Sequence, residues 1–102
     1  MLPTMQREQV IARLKPYQPE LNRAGVVSLA VFGSVARGDA GPSSDVDLMA
    51  EFDEARRLSL FELVGLENRL TEIVGARVDL ADRRNLKELV KANAEREAVL
   101  VF

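Results

Sequence analysis

A chain of 102 residues with 47% hydrophobic side chains, and with fourteen basic residues against sixteen acidic ones, has the size and composition of one globular domain. The net charge of −2 lacks the basic excess of a dedicated nucleic-acid-binding protein, and the absence of cysteine and histidine excludes disulfides, zinc knuckles and a histidine base. Any metal site must use oxygen ligands, and without a signal-peptide pattern or an apolar segment of membrane length we expect one cytoplasmic domain, residues 1–102.

Two short helices are predicted before the first strand. Thr4 is the predicted cap of the first helix, which ends before Pro16. The apolar positions with helical spacing in this segment are Val10, Ile11 and Leu14. A second helix is predicted over Pro19–Ala24, because proline suits a first helical turn and the following glycine suits a stop. The apolar run Val26–Phe32 then predicts a strand covered on both faces.

The stretch FGSVARGDAGPSSDVDL, residues 32–48, separates this strand from the next one. Residues 45–52, DVDLMAEF, alternate strictly, as is typical of a strand with one buried face. The side chains expected in the core are Val46, Leu48, Ala50 and Phe52, and those expected on the opposite face are Asp45, Asp47, Met49 and Glu51. The second face therefore carries carboxylates.

A long amphipathic helix and a third strand follow. Residues 58–75, LSLFELVGLENRLTEIVG, have helical periodicity and end in a glycine. The expected apolar stripe consists of Leu60, Leu63, Val64, Leu70, Ile73 and Val74. Residues 76–82, ARVDLAD, predict a short strand in which Asp79 lies on the face opposite to Val78 and Leu80.

Residues 85–102 are predicted to form the last helix, with Asn85 as its cap. The terminal AVLVF has two interpretations, the last packed turn of that helix or an apolar surface for a partner. Arg83 and Arg84 before the helix are either a solvated basic pair or a contact for an acidic partner or phosphate. The order of elements predicts an α/β (α+β) fold, a small mixed β-sheet packed by helices.

The aspartates at the start of the second strand suggest a metal site. Asp45 and Asp47 lie on one side of the strand, about 7 Å apart along the backbone. Two like charges so close are relieved by a proton or a cation, and hard oxygen donors favour Mg²⁺. If the strand with Asp79 lies beside them, three carboxylates could hold two ions. The alternative is an exposed strand face with solvated aspartates.

The glycine and serine residues upstream suggest a phosphate site. Gly33 and Ser34 end the first strand in a turn that can expose backbone N–H groups to phosphate oxygens, and Arg37 adds a positive charge. Ser44 can tie the turn that returns to the aspartate strand by a hydrogen bond to the backbone. The alternatives are an ordinary turn and an Arg37 that pairs with Asp39 on the surface.

Taken together, GSVARGDAGPSSDVDL resembles the GS-x10-D-x-D signature of the DNA polymerase beta-type nucleotidyltransferase superfamily. The GSxARG and SDxDL segments are similar to those of its minimal members, the MNT-domain proteins. The resemblance implies transfer of a nucleoside monophosphate from an NTP with release of pyrophosphate. It also implies that Gly33 and Ser34 contact the nucleotide phosphates, that Asp45 and Asp47 bind magnesium, and that Asp79 is the third carboxylate.

Minimal members of this family often sit beside a HEPN-domain ribonuclease toxin and act as its antitoxin, some by attaching AMP to a tyrosine of the toxin. The resemblance therefore implies a Mg²⁺-dependent enzyme that uses ATP or another NTP and modifies a HEPN toxin. The sequence leaves the assembly open between a hetero-complex and a homo-oligomer. The alternative is a non-catalytic antitoxin that neutralises its partner by direct binding. Neither membrane binding nor a nucleic-acid substrate is expected from the composition.

Overall fold

The computed structural model of the chain describes residues 6–41 and 44–102. Nine regular elements follow one another in these ranges: α1 Arg7–Leu14, α2 Gln18–Arg23, β1 Val26–Phe32, α3 Gly33–Arg37, β2 Val46–Phe52, α4 Leu60–Val74, β3 Val78–Asp82, α5 Glu88–Glu97 and β4 Val99–Leu100. Single turns of 3₁₀-helix cover Lys15–Tyr17 and Arg83–Asn85. Across the described residues, no helix is both long and apolar enough to span a membrane.

The four strands form one mixed sheet in the order β3-β2-β1-β4. β1 is antiparallel to both β2 and β4, whereas β2 and β3 are parallel. A parallel neighbour requires a crossover connection, and α4 provides it between β2 and β3. The predicted fold class, a small mixed sheet packed by helices, is confirmed.

The N-terminal helices lie close to their predicted positions. The predicted cap Thr4 is outside the described residues, and α1 begins at Arg7 with Gln6 before it. The backbone N–H of Gln6 donates to Oε1 of Gln9 (2.9 Å), which fixes this helix end. α2 ends just before Gly25, where a positive φ of 103° turns the chain into β1.

The main core lies on the face of the sheet that α1, α2 and α4 cover. The alternation predicted for β2 is confirmed, because Val46, Leu48 and Ala50 are fully buried there and Phe52 nearly so. In β1 the predicted burial on both faces holds only for the middle of the strand, since Val27 is exposed. Each fully buried aliphatic side chain contributes about 1.5–3 kcal/mol relative to an exposed one.

The inward face of α4 matches its prediction in part. Leu66, Leu70 and Val74 are buried against the sheet, whereas Leu60 and Val64 are exposed. The prediction was wrong for these two residues. Each lies six positions before a buried residue, Leu66 or Leu70, and six positions rotate a side chain by about 120° around the helix axis. Leu63 and Ile73, also in the predicted stripe, are partly buried.

The outer edge of β3 is covered by polar side chains of α4. The backbone N–H of Val78 donates to Oγ1 of Thr71 (3.2 Å), and that of Leu80 donates to a carboxylate oxygen of Glu67 (2.9 Å). These bonds occupy donors that an exposed edge strand would offer to another chain.

The second face of the sheet is covered only in part, by α5. Ala94 of this helix packs against Ala30 and Met49, so the face of β2 predicted to be polar is apolar at its centre. Arg83 bonds Glu95 of α5 (2.8 Å) and lies 3.5 Å from Glu51 of β2. The carboxylates of β2 are therefore separated by a small apolar contact, with two aspartates at one end and Glu51 at the other.

The C-terminal segment differs most from its prediction. The helix α5 ends at Glu97, and Val99–Leu100 form the edge strand β4 beside β1, so neither helical turn nor free apolar surface describes AVLVF as a whole. β-branched residues next to an unpaired strand edge favour this pairing over another helical turn. Asn85 does not cap the helix, because it ends a 3₁₀ turn and Lys87 occupies the N-cap position.

Candidate active site

Three aspartates occupy neighbouring positions where β2 and β3 begin. Asp45 immediately precedes β2, Asp47 is its second residue, and Asp79 is the second residue of β3. The parallel register pairs Asp47 with Asp79 directly. Paired residues of neighbouring strands point to the same face about 4.8 Å apart, so these two carboxylates share one face of the sheet.

The charges of Asp79 and Asp45 act on the carboxyl group of Asp47. Burial raises the pKa of Asp47 above its ordinary value, and the charges of Asp79 and then of Asp45 raise it further. The positive charge of Arg37 acts in the opposite direction and lowers the pKa of Asp47. Asp47 is thus the centre of a negative cluster whose repulsion is relieved by a proton or a cation.

The donor set of this cluster has the chemistry of a divalent-cation site. It consists of carboxylate oxygens, the ligands that Mg²⁺ prefers. Burial and then the charges of Asp79 and Asp45 raise the pKa of Asp47, and a cation would neutralise those charges. Within residues 6–41 and 44–102, no three acidic side chains converge closely enough to coordinate one ion without rearrangement. Asp45 turns partly toward the exposed Arg77, 3.9 Å away. The three aspartates suit a divalent cation, and their side chains would have to rotate toward one another to hold it.

Gly33 is in direct contact with this cluster. It follows Phe32, which pairs with Asp47 across the antiparallel strands, and it has a left-handed φ of 72°. A Cβ atom at this position would lie 2.3 Å from Oδ2 of Asp47 and 3.1 Å from its Cγ. Only glycine can adopt this backbone conformation and leave room for the carboxylate of Asp47. The turn after β1 therefore packs directly against that carboxylate.

The turn after β1 is helical. α3 runs from Gly33 to Arg37 and ends at Gly38, which has a left-handed φ of 81°. Ser34 is partly buried in its first turn, where backbone N–H groups have no partners within the helix. Val35 and Ala36 face the core and anchor the turn. Ser34 and Arg37, three residues apart, are neighbours on the helix surface.

Arg37 is held by two carboxylates. Its Nε donates to Oδ2 of Asp39 (3.1 Å), which was the surface pairing considered from the sequence, and its Nη1 donates to Oε2 of Glu97 (2.9 Å). Both bonds raise the pKa of the Arg37 guanidinium, Asp39 more than Glu97. Sequence reasoning missed Glu97, because sixty residues separate it from Arg37 and no local pattern links them.

Ser44 ties the returning loop, as predicted. The backbone N–H of Gly41 donates to Oγ of Ser44 (2.9 Å), and the backbone N–H of Ser44 donates to the carbonyl of Gly41 (3.1 Å). Ser44 precedes Asp45 directly. Ser44 thus helps to fix the entry of the chain into the aspartate cluster.

The same chain matches known proteins along most of its length. The model of the nucleotidyltransferase domain family matches residues 11–101. Protein adenylyltransferase MntA of Thermococcus cleftensis is 38% identical over 95 residues, which are 92% of this chain and 94% of the relative.

Solved structures show the same likeness. One assigned to the minimal nucleotidyltransferases has a TM-score of 0.78 at 36% identity, covering 96% of this chain and 98% of its own. A chain from the complex of the tri-AMPylated HEPN toxin with the MNT antitoxin of Shewanella oneidensis shares the fold, with a TM-score of 0.61 at 19% identity over 96% of this chain and 72% of that one. The chain therefore belongs to the nucleotidyltransferase domain family, as a minimal member related to the MntA-like protein adenylyltransferases.

Proposed function

We propose that this chain, as a single domain of residues 1–102, is a Mg²⁺-dependent enzyme that transfers AMP from ATP to a hydroxyl group of a partner protein and releases pyrophosphate. The observation that carries the proposal is the contact of Gly33 with the carboxylate of Asp47. This contact supports the proposal because it joins the turn that we assign to phosphate binding to the aspartates that we assign to the metal. Nucleotidyl transfer needs these two parts side by side, because the metal must neutralise the triphosphate that the turn holds.

The residues divide into two groups by role. Gly33 and Ser34 bind phosphate oxygens, with Arg37 as an additional positive charge, and Ser44 fixes the loop that carries Asp45 into place. Asp45, Asp47 and Asp79 would hold the metal, two Mg²⁺ ions in our proposal. When bound, magnesium neutralises the triphosphate and makes the acceptor hydroxyl more acidic.

The chemical step is an in-line displacement at the α-phosphorus. A bond forms between the acceptor oxygen and the α-phosphorus while the bond from this phosphorus to the pyrophosphate oxygen breaks. In our proposal Asp79 accepts the proton of the acceptor hydroxyl, which its position on β3, the strand farthest from Gly33, supports. The triphosphate then lies toward β1 and α3, and the acceptor approaches from β3.

We propose a HEPN-domain toxin as the partner and one of its tyrosines as the acceptor, so that the chain acts as an antitoxin by modification. Two findings support this. The relative from Thermococcus cleftensis, alike over nearly the whole chain, is a protein adenylyltransferase. The complex from Shewanella oneidensis contains an AMPylated HEPN toxin together with an MNT antitoxin.

The test is the intact mass of the partner toxin after co-expression with this chain. Wild-type protein should add one or more AMP units to the toxin, and the double variant Asp45→Asn, Asp47→Asn should add none. Glu51→Gln is the matched control, because it removes a carboxylate from the same face of β2 at the opposite end of the strand. An unmodified toxin that is neutralised equally by wild type and double variant would overturn the proposal in favour of inhibition by binding alone.

A further inference from the structure

The carboxylate of Glu97 lies at a position where it does not stabilise its own helix. It is the last residue of α5, where the helix dipole is negative and a basic residue would be the favourable choice. Its carboxylate instead reaches across to α3 and accepts a hydrogen bond from Nη1 of Arg37 (2.9 Å). The stabilising partner of Glu97 is therefore a residue next to the candidate phosphate site.

The two carboxylates around Arg37 are not equivalent. Asp39 lies two residues away on the exposed loop after α3, and its side chain is 62% exposed. Glu97 comes from a helix packed on the sheet through Ala94, and its side chain is only 33% exposed. Because solvent screens the Glu97 contact less and its helix is anchored, Glu97 fixes the position of Arg37 relative to the sheet more firmly than Asp39 does.

The guanidinium of Arg37 keeps N–H donors available for a further hydrogen bond. Asp39 occupies Nε and Glu97 occupies Nη1, whereas Nη2 makes no hydrogen bond to any residue of the described ranges. Arg37 lies on the five-residue helix α3, whose first residue, Gly33, contacts Asp47. The guanidinium is thus fixed near the aspartate cluster while part of its planar donor set remains open to an anion.

We infer that Glu97 is a positioning residue that orients Arg37 toward the nucleotide phosphates. The inference rests on the proposed function for the identity of the ligand, but the contact itself does not depend on it. Without Glu97, Asp39 is the one hydrogen-bond partner that Arg37 keeps among the described residues, and the guanidinium samples rotamers that point away from the phosphate site. Nucleotide binding then weakens, while the aspartates that perform the chemistry are unchanged.

The test compares Glu97→Gln with Glu95→Gln. Both variants remove a carboxylate of α5 that pairs with an arginine, but the Glu95 pair with Arg83 lies beside Glu51 at the other end of the sheet face. We expect Glu97→Gln to raise KM for ATP roughly five-fold with kcat nearly unchanged, within the range of coupling between residues in contact. Glu95→Gln should leave both constants at their wild-type values. In the Arg37→Ala background, Glu97→Gln should have no further effect.

A KM that does not change in Glu97→Gln, or an effect that adds fully to that of Arg37→Ala, would overturn the inference while leaving nucleotidyl transfer intact. If the wild type itself transfers no nucleotide, the proposed function fails, and the inference is decided by NMR of the Arg37 Nη1 protons, which donate to Glu97. Faster hydrogen exchange of these protons in Glu97→Gln than in Glu95→Gln supports positioning by Glu97. Equal exchange in the two variants overturns it.

Discussion

Replacing Gly33 with alanine tests the contact on which the site is built. An alanine in the left-handed conformation costs about 1–2 kcal/mol. Its Cβ would also lie 2.3 Å from Oδ2 of Asp47, far inside van der Waals contact, so the carboxylate must move off its rotamer at a cost of about 1 kcal/mol. The sum, about 2–3 kcal/mol, lowers Tm by roughly 10–20 °C for a domain of this size. Displacement of Asp47 should lower transfer about 100-fold.

Gly38→Ala is the matched control. Gly38 also has a left-handed φ, 81°, but an added Cβ would meet no heavy atom within 4 Å. This variant should lose only the backbone contribution, about 1–2 kcal/mol, and keep most of its activity. Thermal unfolding followed by circular dichroism gives the stabilities, and labelled-nucleotide transfer measured well below Tm gives the activities. Equal losses of both quantities in the two variants would refute a specific contact between Gly33 and Asp47.

Three further variants test the fold and the charge cluster. Gly65→Ala, inside α4 and in open space, should raise stability by about 1 kcal/mol in a denaturant titration. Glu67→Ala removes the acceptor for the N–H of Leu80, so stability should fall by about 1 kcal/mol and light scattering should show more association through the β3 edge. Burial and the neighbouring aspartates raise the pKa of Asp47, so its contribution to stability is present below the pKa of an unfolded aspartate and is lost as pH rises through the folded-state value. Metal-free Asp47→Asn should therefore be more stable than wild type at neutral pH, with the difference disappearing in acid.

Local pattern was sufficient for the elements with a strong period of their own. The alternation of residues 45–52 predicted the buried face of β2, since a strand packed on helices has only two faces to choose from. The glycine at the end of residues 58–75 predicted the end of α4 for the same local reason. The rotation of α4 about its axis was harder to predict from the sequence, because packing against the sheet determines which of its side chains are buried.

Contacts between residues that are distant in sequence could not be predicted from local pattern. β4 has only two residues, and it exists because the edge of β1 offers it hydrogen-bond partners. The glycine at position 33 was expected in the turn, but its reason, the carboxylate of Asp47, emerges only from the antiparallel pairing of β1 and β2. Glu97 reaches Arg37 across the sheet face and leaves no local signal at all.

In the proposed reaction the aspartate cluster transfers a nucleotide and not a terminal phosphate. Label transfer to the purified partner toxin, from ATP carrying ³²P in either the α or the γ position, distinguishes the two with wild type and Asp47→Asn. We expect the α label to enter the toxin with wild type alone and the γ label never to do so. Transfer of the γ label, or α-label transfer that persists in Asp47→Asn, would contradict the proposed reaction.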